Sequence, residues 1–177
     1  MPREIQILNG SALRPQNLSA VARRLQEVFK GSVNIARASF DMRAARDVSR
    51  GQTNSTLLLA QILNGAVDRE KKQIGIVDVD LFIPILTFVF GEAQLGGTAA
   101  IVSTHRLSNQ YYGLPRNDAL MLERLEKELA HELGHTFGLY HCHQFECVMR
   151  ASTYVEEIDL KRVYLCSACT AILSAEC

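Results

Sequence analysis

Residues 131–149 read HELGHTFGLYHCHQFECVM, and this stretch decides how the rest of the chain is interpreted. If it begins on a helix, the imidazoles of His131 and His135 lie one turn apart on one face, close enough to share a zinc ion. Gly138 can adopt a positive φ at the end of that helix, which lets the chain turn and bring His141 back to the same metal. The stretch therefore predicts a three-histidine zinc centre.

The glutamate after the first histidine gives this centre a chemical interpretation. Three neutral imidazoles leave the fourth tetrahedral position open, as hydrolytic zinc requires, whereas a structural zinc is usually closed by a fourth protein ligand. Glu132 lies beside the metal and not among its ligands, where it can accept a proton from zinc-bound water and later give it to a leaving amine. Two solvated histidines meeting by chance are disfavoured, because Gly138, His141 and Met149 also fall at the offsets of a zinc-peptidase motif.

The cysteines predict a second metal site. All five lie after residue 141, and an odd number without a signal peptide argues for metal thiolates over disulfides. Four of them form a C-x4-C pair and a C-x2-C pair, which is typical of a closed structural zinc site: Cys142, Cys147, Cys166 and Cys169. We therefore expect two zinc ions per chain, one catalytic and one structural. Cys177 is left over and is interpreted as a free, exposed thiol.

Two further histidines are ambiguous. His143 could replace a cysteine or His141 as a ligand, although the spacing favours the assignment given above. His105 follows an apolar strand and is interpreted as a structural histidine.

Apolar patterning upstream of the zinc stretch predicts an α/β fold. Alternating strands at 3–9 and 32–38, with a helix at 17–30 capped by Asn17 or Ser19, give a βαβ opening with parallel strand pairing. Further elements are then expected in chain order: a solvated connection at 40–51, a helix at 53–67 capped by Thr53 or Asn54, and strands at 73–81, 83–90 and 98–104.

A long helix is expected to carry the zinc motif. It is capped by Asn117 or Asp118 and continues to about Phe137. Leucines spaced along one stripe would anchor it on the sheet, with His131 and His135 on the opposite side: Leu122, Leu125, Leu129 and Leu133.

Two segments between these elements bear on substrate binding. Residues 91–97 could form a short edge strand, able to hold an extended peptide by β-addition, or a plain hairpin turn. Asp78 and Asp80 are interpreted as residues that cap strand or turn ends, in preference to lining the cleft.

Length and charge limit the remaining possibilities. A chain of 177 residues that is 47% hydrophobic fits one domain, with a sheet-and-helix half at 1–116 and a zinc-binding half at 117–177. Lys+Arg and Asp+Glu both number 19, so no excess charge favours nucleic acid or an anionic membrane as a partner. The N-terminus has no apolar signal region, which predicts a cytoplasmic location, and the apolar run at 81–90 is too short to span a bilayer. Oligomeric state is left open.

The combined zinc motifs resemble those of a known family. The three-histidine motif joined to Cys142-x4-Cys147-x-Met149 and then Cys166-x2-Cys169 is similar to the archaemetzincins, or archaelysins, which are metzincin zinc metalloproteases; the resemblance covers residues 117–169. It implies a metzincin-like single α/β domain, with a mixed twisted sheet of about four to five strands, an active-site helix and a zinc-stapled C-terminal segment. It also implies a catalytic zinc on His131, His135 and His141, Glu132 as general base, and Met149 in a Met-turn.

Peptide-bond hydrolysis is the activity that the resemblance implies, on a peptide or protein substrate; endopeptidase and aminopeptidase action both remain open. Better-known metzincins are typically secreted zymogens, whereas this chain has no cysteine before Cys142 that could block the zinc. Some metzincins use a tyrosine just after the Met-turn, which makes Tyr154 a candidate. A packed tyrosine near a helix start at Thr153, with Glu156 in the capping-box position, is the favoured reading. The alternative function is a non-enzymatic, zinc-stapled domain that binds peptides or a partner.

Overall fold

A computed structural model describes residues 3–66 and 70–175. The chain opens with β1 (Glu4–Asn9), α1 (Pro15–Phe29) and β2 (Ser32–Arg37), and β1 pairs with β2 in parallel, as the sequence predicts. Helix α1 begins earlier than expected because Pro15 occupies its first turn, where a missing N–H costs no hydrogen bond. Arg14 is the N-cap residue, so the predicted caps Asn17 and Ser19 are wrong.

The next part of the chain contains short elements that were not expected. They are α2 (Met42–Ala45), β3 (Arg46–Asp47) and β4 (Gln52–Asn54), followed by α3 (Ser55–Gly65). The predicted solvated connection at 40–51 is confirmed, since only Ala45 is buried among these residues. The short elements within it were not predicted, because strands of two or three residues are too short to show a period. Asn54 is the N-cap of α3 and accepts the backbone N–H of Thr56 at 3.0 Å, which confirms one of the two predicted caps.

Five strands form the main sheet. The remaining strands are β5 (Lys72–Val77), β6 (Leu81–Phe82), β7 (Gly91–Ala93) and β8 (Ala99–Ser103). The sheet order is β2-β1-β5-β8-β7, in which only β7 runs antiparallel to its neighbour, and β3, β4 and β6 form a second, smaller sheet. A mixed sheet of about four to five strands is thus confirmed. Since β7 is the last strand of the sheet, the edge-strand alternative for residues 91–97 is the correct one for Gly91–Ala93.

Residues 83–90 do not form the expected strand. After β6 the chain turns, with the backbone N–H of Leu86 donating to the carbonyl three residues earlier at 3.0 Å, and Val89 returns to pair with Leu81. The Ile85 side chain is 86% exposed and that of Leu86 49% exposed. Apolar composition predicted burial here, but Pro84 and this turn place the segment on the surface as a loop.

Helix α4 (Asp118–Thr136) has the expected cap and the expected buried stripe. The Asn117 side chain accepts the N–H of Leu120 at 3.0 Å, while Leu125, Leu129 and Leu133 are fully buried. The chain ends with two shorter helices, α5 (Val155–Asp159) and α6 (Ser167–Ala175).

The sheet is covered on both faces. Ala100 and Val102 belong to the larger core with α1 and α4, whereas Ala99 and Ile101 belong to a smaller core with α3. This alternation follows from the two-residue period of a strand. Helix α4 therefore lies on one face of the sheet, alongside α1 and next to the edge strand β7. Within the described ranges, no helix combines the length and apolarity needed to cross a bilayer.

Candidate metal centres

The end of α4 and the turn after it bring three histidines together. His131 and His135 occupy its last two turns, and Gly138 takes a φ of 81°, which ends the helix. The chain then reverses, so that His141 returns to the other two. One ring nitrogen of each histidine lies within 4.8 Å of those of the others.

Hydrogen bonds fix which nitrogen of each helical histidine faces the centre. His131 donates from Nδ1 to the Val148 carbonyl at 2.8 Å, and His135 donates from Nδ1 to the Leu139 carbonyl at 2.7 Å. A carbonyl can only accept, so both Nδ1 atoms carry the proton and both Nε2 atoms carry a lone pair. The two Nε2 atoms lie 3.1 Å apart, so their lone pairs repel each other, and a cation bound by both nitrogens would offset this repulsion.

The donor set suits zinc. With Zn–N bonds of about 2.0–2.1 Å and tetrahedral angles, two nitrogen ligands should lie about 3.3 Å apart, close to the observed Nε2 separation. Burial lowers the pKa of His131 well below its ordinary value and also lowers the pKa of His135 and His141. All three imidazoles are therefore held in the neutral form that metal binding requires.

Glu132 lies beside these histidines, under the edge of the sheet. It is 7% exposed, and a Cβ added at Gly91 in β7 would come within 2.8 Å of its Cγ and 3.0 Å of its Oε1. The edge strand therefore passes so close that only glycine leaves the carboxylate its space. Burial, together with the nearby Glu128 carboxylate, raises the pKa of Glu132 well above its ordinary value, which increases its affinity for a proton.

The residues around Met149 pack against the histidine-bearing end of α4. A Cβ at Gly134 would overlap the Met149 sulfur, so the helix and this turn are in close contact. Lys161 is buried, and its ammonium donates to the carbonyls of Val148 at 3.4 Å and Arg150 at 3.0 Å, on either side of Met149. The Val148 carbonyl is also the acceptor for His131, so one peptide group connects the lysine with a candidate ligand.

Lys161 also forms a buried ion pair with Glu128 on α4, at 3.3 Å, with side chains 1% and 4% exposed. Neither Lys161 nor Glu128 was predicted from the sequence to belong to the site. Glu128 lies three and four residues before His131 and Glu132, so a helical wheel could have found it. Lys161 lies far along the chain, and nothing in its local sequence marks it as buried.

Lys161→Met is expected to lower the free energy of unfolding by about 3–5 kcal/mol, because it leaves Glu128 buried without its partner. Chemical unfolding at neutral pH measures the loss. The double variant Lys161→Met/Glu128→Met removes both charges and is expected to recover most of it. A single variant as stable as the unmodified protein would show that the pair does not hold this region together.

The four paired cysteines converge on a second point. Sγ of Cys142 and Cys166 are 3.8 Å apart, as are those of Cys147 and Cys169. Ligands of a tetrahedral zinc with Zn–S bonds of about 2.3 Å should be separated by about 3.8 Å, so the four thiols fit this ion. The sulfurs lie within 4.8 Å of one another.

Backbone groups around the cysteines favour thiolates on part of the cluster. The N–H of Cys169, in the first turn of α6, lowers the pKa of Cys166 to about 7. The Cys147 sulfur accepts the N–H of Cys166 at 3.4 Å, although burial raises the pKa of Cys147 and of Cys169. A metal dication is the partner that would favour the ionised form of these buried thiols.

The ambiguous residues lie elsewhere. Within residues 3–66 and 70–175, His143 and His105 join neither group of potential ligands. The His105 ring instead contacts that of Tyr111, with centroids 5.2 Å apart. Cys177 lies outside the described residues.

Tyr154 is neither packed nor in the cleft. Its side chain is 65% exposed. The cleft is the cavity lined by His131, Glu132 and His141, and its lining ends at Thr153. The predicted helix start at Thr153 with Glu156 in the capping box is wrong: α5 begins at Val155, and Glu157 accepts the backbone N–H groups of Thr153 and Tyr154 at 2.5 and 3.2 Å.

Asp78 binds a backbone N–H group, as a capping residue would, whereas Asp80 binds side chains. Asp78 accepts the backbone N–H of Ala12 at 2.6 Å and the hydroxyl of Thr104 at 2.5 Å. Asp80 forms an ion pair with Arg106 at 2.6 Å. Neither aspartate lines the cleft beside the histidines.

A sheet with a histidine-bearing helix beneath its edge strand, and a third histidine returned to that helix by a glycine turn, is the arrangement of a zinc-dependent peptidase. The family model described as Peptidase family M54 matches residues 59–175. The archaemetzincin of Methanocaldococcus jannaschii is 42% identical over 125 residues, which are 71% of this chain and 68% of that protein.

Two solved structures extend the similarity to almost the whole chain. The archaemetzincin of Methanopyrus kandleri superposes with a TM-score of 0.85 at 32% identity, covering 99% of this chain and 95% of that one. A zinc-dependent peptidase from Methanocorpusculum labreanum gives a TM-score of 0.84 at 28% identity, covering 96% and 99%. The chain belongs to peptidase family M54, the archaemetzincins, and is a zinc metallopeptidase.

Proposed function

We propose that this protein hydrolyses peptide bonds with a zinc ion held by His131, His135 and His141, with Glu132 as the general base. The observation that carries the proposal is the pair of Nε2 lone pairs facing each other at 3.1 Å beside a buried carboxylate. A second zinc, held by the four paired cysteines, would be structural, because a four-thiolate site has no open position for substrate.

The proposed reaction assigns the proton transfers to Glu132. The zinc, when bound, would polarise the substrate carbonyl and acidify water. The Glu132 carboxylate takes a proton from water while the water oxygen forms a bond to the carbonyl carbon of the substrate. The carboxyl group then gives that proton to the amine nitrogen as the C–N bond breaks. Burial of Glu132 suits both steps because it strengthens the hydrogen bonds of the carboxylate and excludes competing water.

Strand β7 supplies a way to hold the substrate. It is the outermost strand of the sheet, and Gly91 within it borders both Glu132 and the cleft. An extended peptide that pairs with the outer edge of β7 would pass directly over the candidate zinc site. This placement supports peptide cleavage over a role in binding alone.

Met149 supports placing the protein among the metzincins. The Met149 side chain lies against Gly134 on α4. Gly134 lies between His131 and His135 in the sequence, so the turn at Met149 packs under the histidine-bearing part of the helix, as the Met-turn of metzincins would require.

A peptide-library digest with and without a zinc chelator tests the proposal. Cleavage is expected in the zinc-loaded protein, with loss on chelation and return on addition of zinc. Mass spectrometry of the products also separates the two modes of cleavage, because an aminopeptidase releases single N-terminal residues and an endopeptidase releases internal fragments. Absence of chelator-sensitive cleavage across the library would favour the zinc-stapled binding domain.

A further inference from the structure

The loop at residues 83–88, which the sequence misassigns to a strand, forms one wall of the cleft beside the candidate catalytic centre. Its residues Leu86 to Phe88 line a cavity of about 290 Å³ together with the strand that follows. The lining also includes Ala151–Thr153, and it contains Glu132 with two of the three histidines, His131 and His141. A side chain adjacent to the scissile bond of a substrate would enter this cavity.

The loop carries large apolar side chains that differ in exposure. Ile85 is 86% exposed, Leu86 is 49% exposed, and Phe88 is partly buried. A single exposed leucine on a protein surface needs no explanation. Leu86 and Phe88 are different, because both line the cavity that contains the candidate reaction centre. A substrate side chain placed there would remove apolar surface of both molecules from water.

The backbone of the wall is fixed from behind. The Arg50 guanidinium donates to the carbonyls of Leu86 at 2.8 Å and Thr87 at 3.3 Å, and the Gln52 amide donates to the same Thr87 carbonyl at 3.0 Å. The Arg106 guanidinium lies 4.0 Å from the centroid of the Phe88 ring. These contacts hold the main chain and leave the side chains of residues 85 and 86 free, so the surface is preorganised for binding.

Charge does not select the occupant of the cavity. Glu128 reaches the lining, but its carboxylate is paired with Lys161. The segment after the turn at Met149 contributes only the small residues Ala151, Ser152 and Thr153. Apart from Glu128 and the candidate catalytic residues, the large side chains of the lining therefore come from the 83–88 loop and the two residues after it, and they are apolar.

We propose that Leu86 and Phe88 are specificity-determining residues that select a substrate with a large apolar side chain next to the scissile bond. This proposal rests on the proposed peptidase function and names the substrate class for the same cleft. Arg50 is a positioning residue, since it acts through the loop and does not line the cavity.

Leu86→Asp tests the proposal, with Leu57→Asp as the matched control. Leu57 is 46% exposed, in the first turn of α3, and does not line the cleft, so the two variants make the same change at similar exposure. Peptides that differ only in leucine or alanine next to the scissile bond are compared by kcat/KM. The unmodified protein is expected to favour leucine by at least about tenfold. Leu86→Asp should remove most of that preference and Leu57→Asp should keep it.

A binding measurement makes the result independent of turnover. Two peptide hydroxamates, one with a leucine and one with an alanine side chain, are titrated calorimetrically into the zinc-loaded protein and its variants. The leucine compound should bind at least about tenfold more tightly to the unmodified protein and to Leu57→Asp, but not to Leu86→Asp. If the library digest shows no cleavage, the proposed peptidase function is wrong. The calorimetric comparison of the two hydroxamates still tests whether Leu86 and Phe88 select a large apolar side chain.

Arg50→Ala provides the second variant. It leaves both apolar side chains in place but removes the hydrogen bonds to the loop, so the leucine preference should fall by about threefold or more in both assays. Unchanged zinc content and an unchanged melting temperature for Leu86→Asp show that the fold is intact. Equal preference in the unmodified protein and in Leu86→Asp would overturn the proposal, as would equal losses for the leucine and alanine compounds.

Discussion

Glu132→Gln is expected to lower kcat by about a thousandfold, in the middle of the range for loss of a general base, while the zinc content stays unchanged. Glutamine has almost the same shape as glutamate but cannot take a proton from water. Since Glu132 lies beside the histidines and is not a member of either ligand group, its replacement should not release metal. Single-turnover kinetics and metal analysis on the same samples measure the two quantities.

The same substitution should not weaken the fold. Glu132 is a buried carboxyl whose pKa is raised by burial and by Glu128, so the folded protein gains no stability from its charge. Glu123→Gln is a suitable control, because this residue lies on the same helix with its side chain 58% exposed. An unchanged rate in Glu132→Gln would remove Glu132 from the mechanism, and loss of one zinc would instead identify it as a ligand.

The parts of the site that were predictable share a local cause. His131, His135 and Glu132 follow the helical repeat, and Gly138 ends the helix with the expected positive φ. Each of these inferences requires only a few neighbouring residues, because helix geometry converts spacing directly into direction. The parallel pairing of β1 and β2 was predictable for a similar reason, since one crossover helix permits little else.

The parts that were not predictable depend on tertiary contacts. The apolar segment at 83–90 has the composition of a buried strand, but it forms a surface loop. Arg50, in the turn before β4, and Gln52, in β4, donate hydrogen bonds to its carbonyls. Lys161 looks like a surface residue, yet it is buried between α4 and the turn at Met149. In both cases the decisive hydrogen bonds join residues distant in sequence, and no local period reports them.

The turn at Met149 connects the two candidate metal sites. On one side, the Val148 carbonyl accepts from His131 and Lys161. On the other, the backbone N–H of Cys142 donates to the Met149 carbonyl at 2.9 Å, and Cys147 lies two residues before Met149. The position of the His131 ring therefore depends on the turn at Met149, which is connected to the cysteine site through the backbone of Cys142 and through Cys147.

Cys169→Ser is expected to remove one zinc ion per chain and to unfold the segment from Cys142 onward. Structural zinc sites bind with about 10–16 kcal/mol of free energy in small zinc-binding peptides, comparable to or larger than the whole stability of an ordinary domain, about 5–15 kcal/mol. Loss of one thiolate should remove most of this binding free energy, since the buried Cys147 sulfur is then left without its partner Cys169. Metal analysis, thiol titration and hydrogen exchange of the C-terminal segment measure the three consequences.

The effect should also reach the histidine site, because the Val148 carbonyl would no longer be held in place for His131. Metal affinity there is expected to fall by about 10–100-fold, the usual result of removing an outer hydrogen-bond partner of a ligand. Cys177→Ser removes a thiol that belongs to neither pair and should change neither the zinc content nor this affinity. If Cys169→Ser kept two zinc ions, the four-cysteine site would be wrong; if it lost one zinc with no change at the histidines, the two sites would be independent.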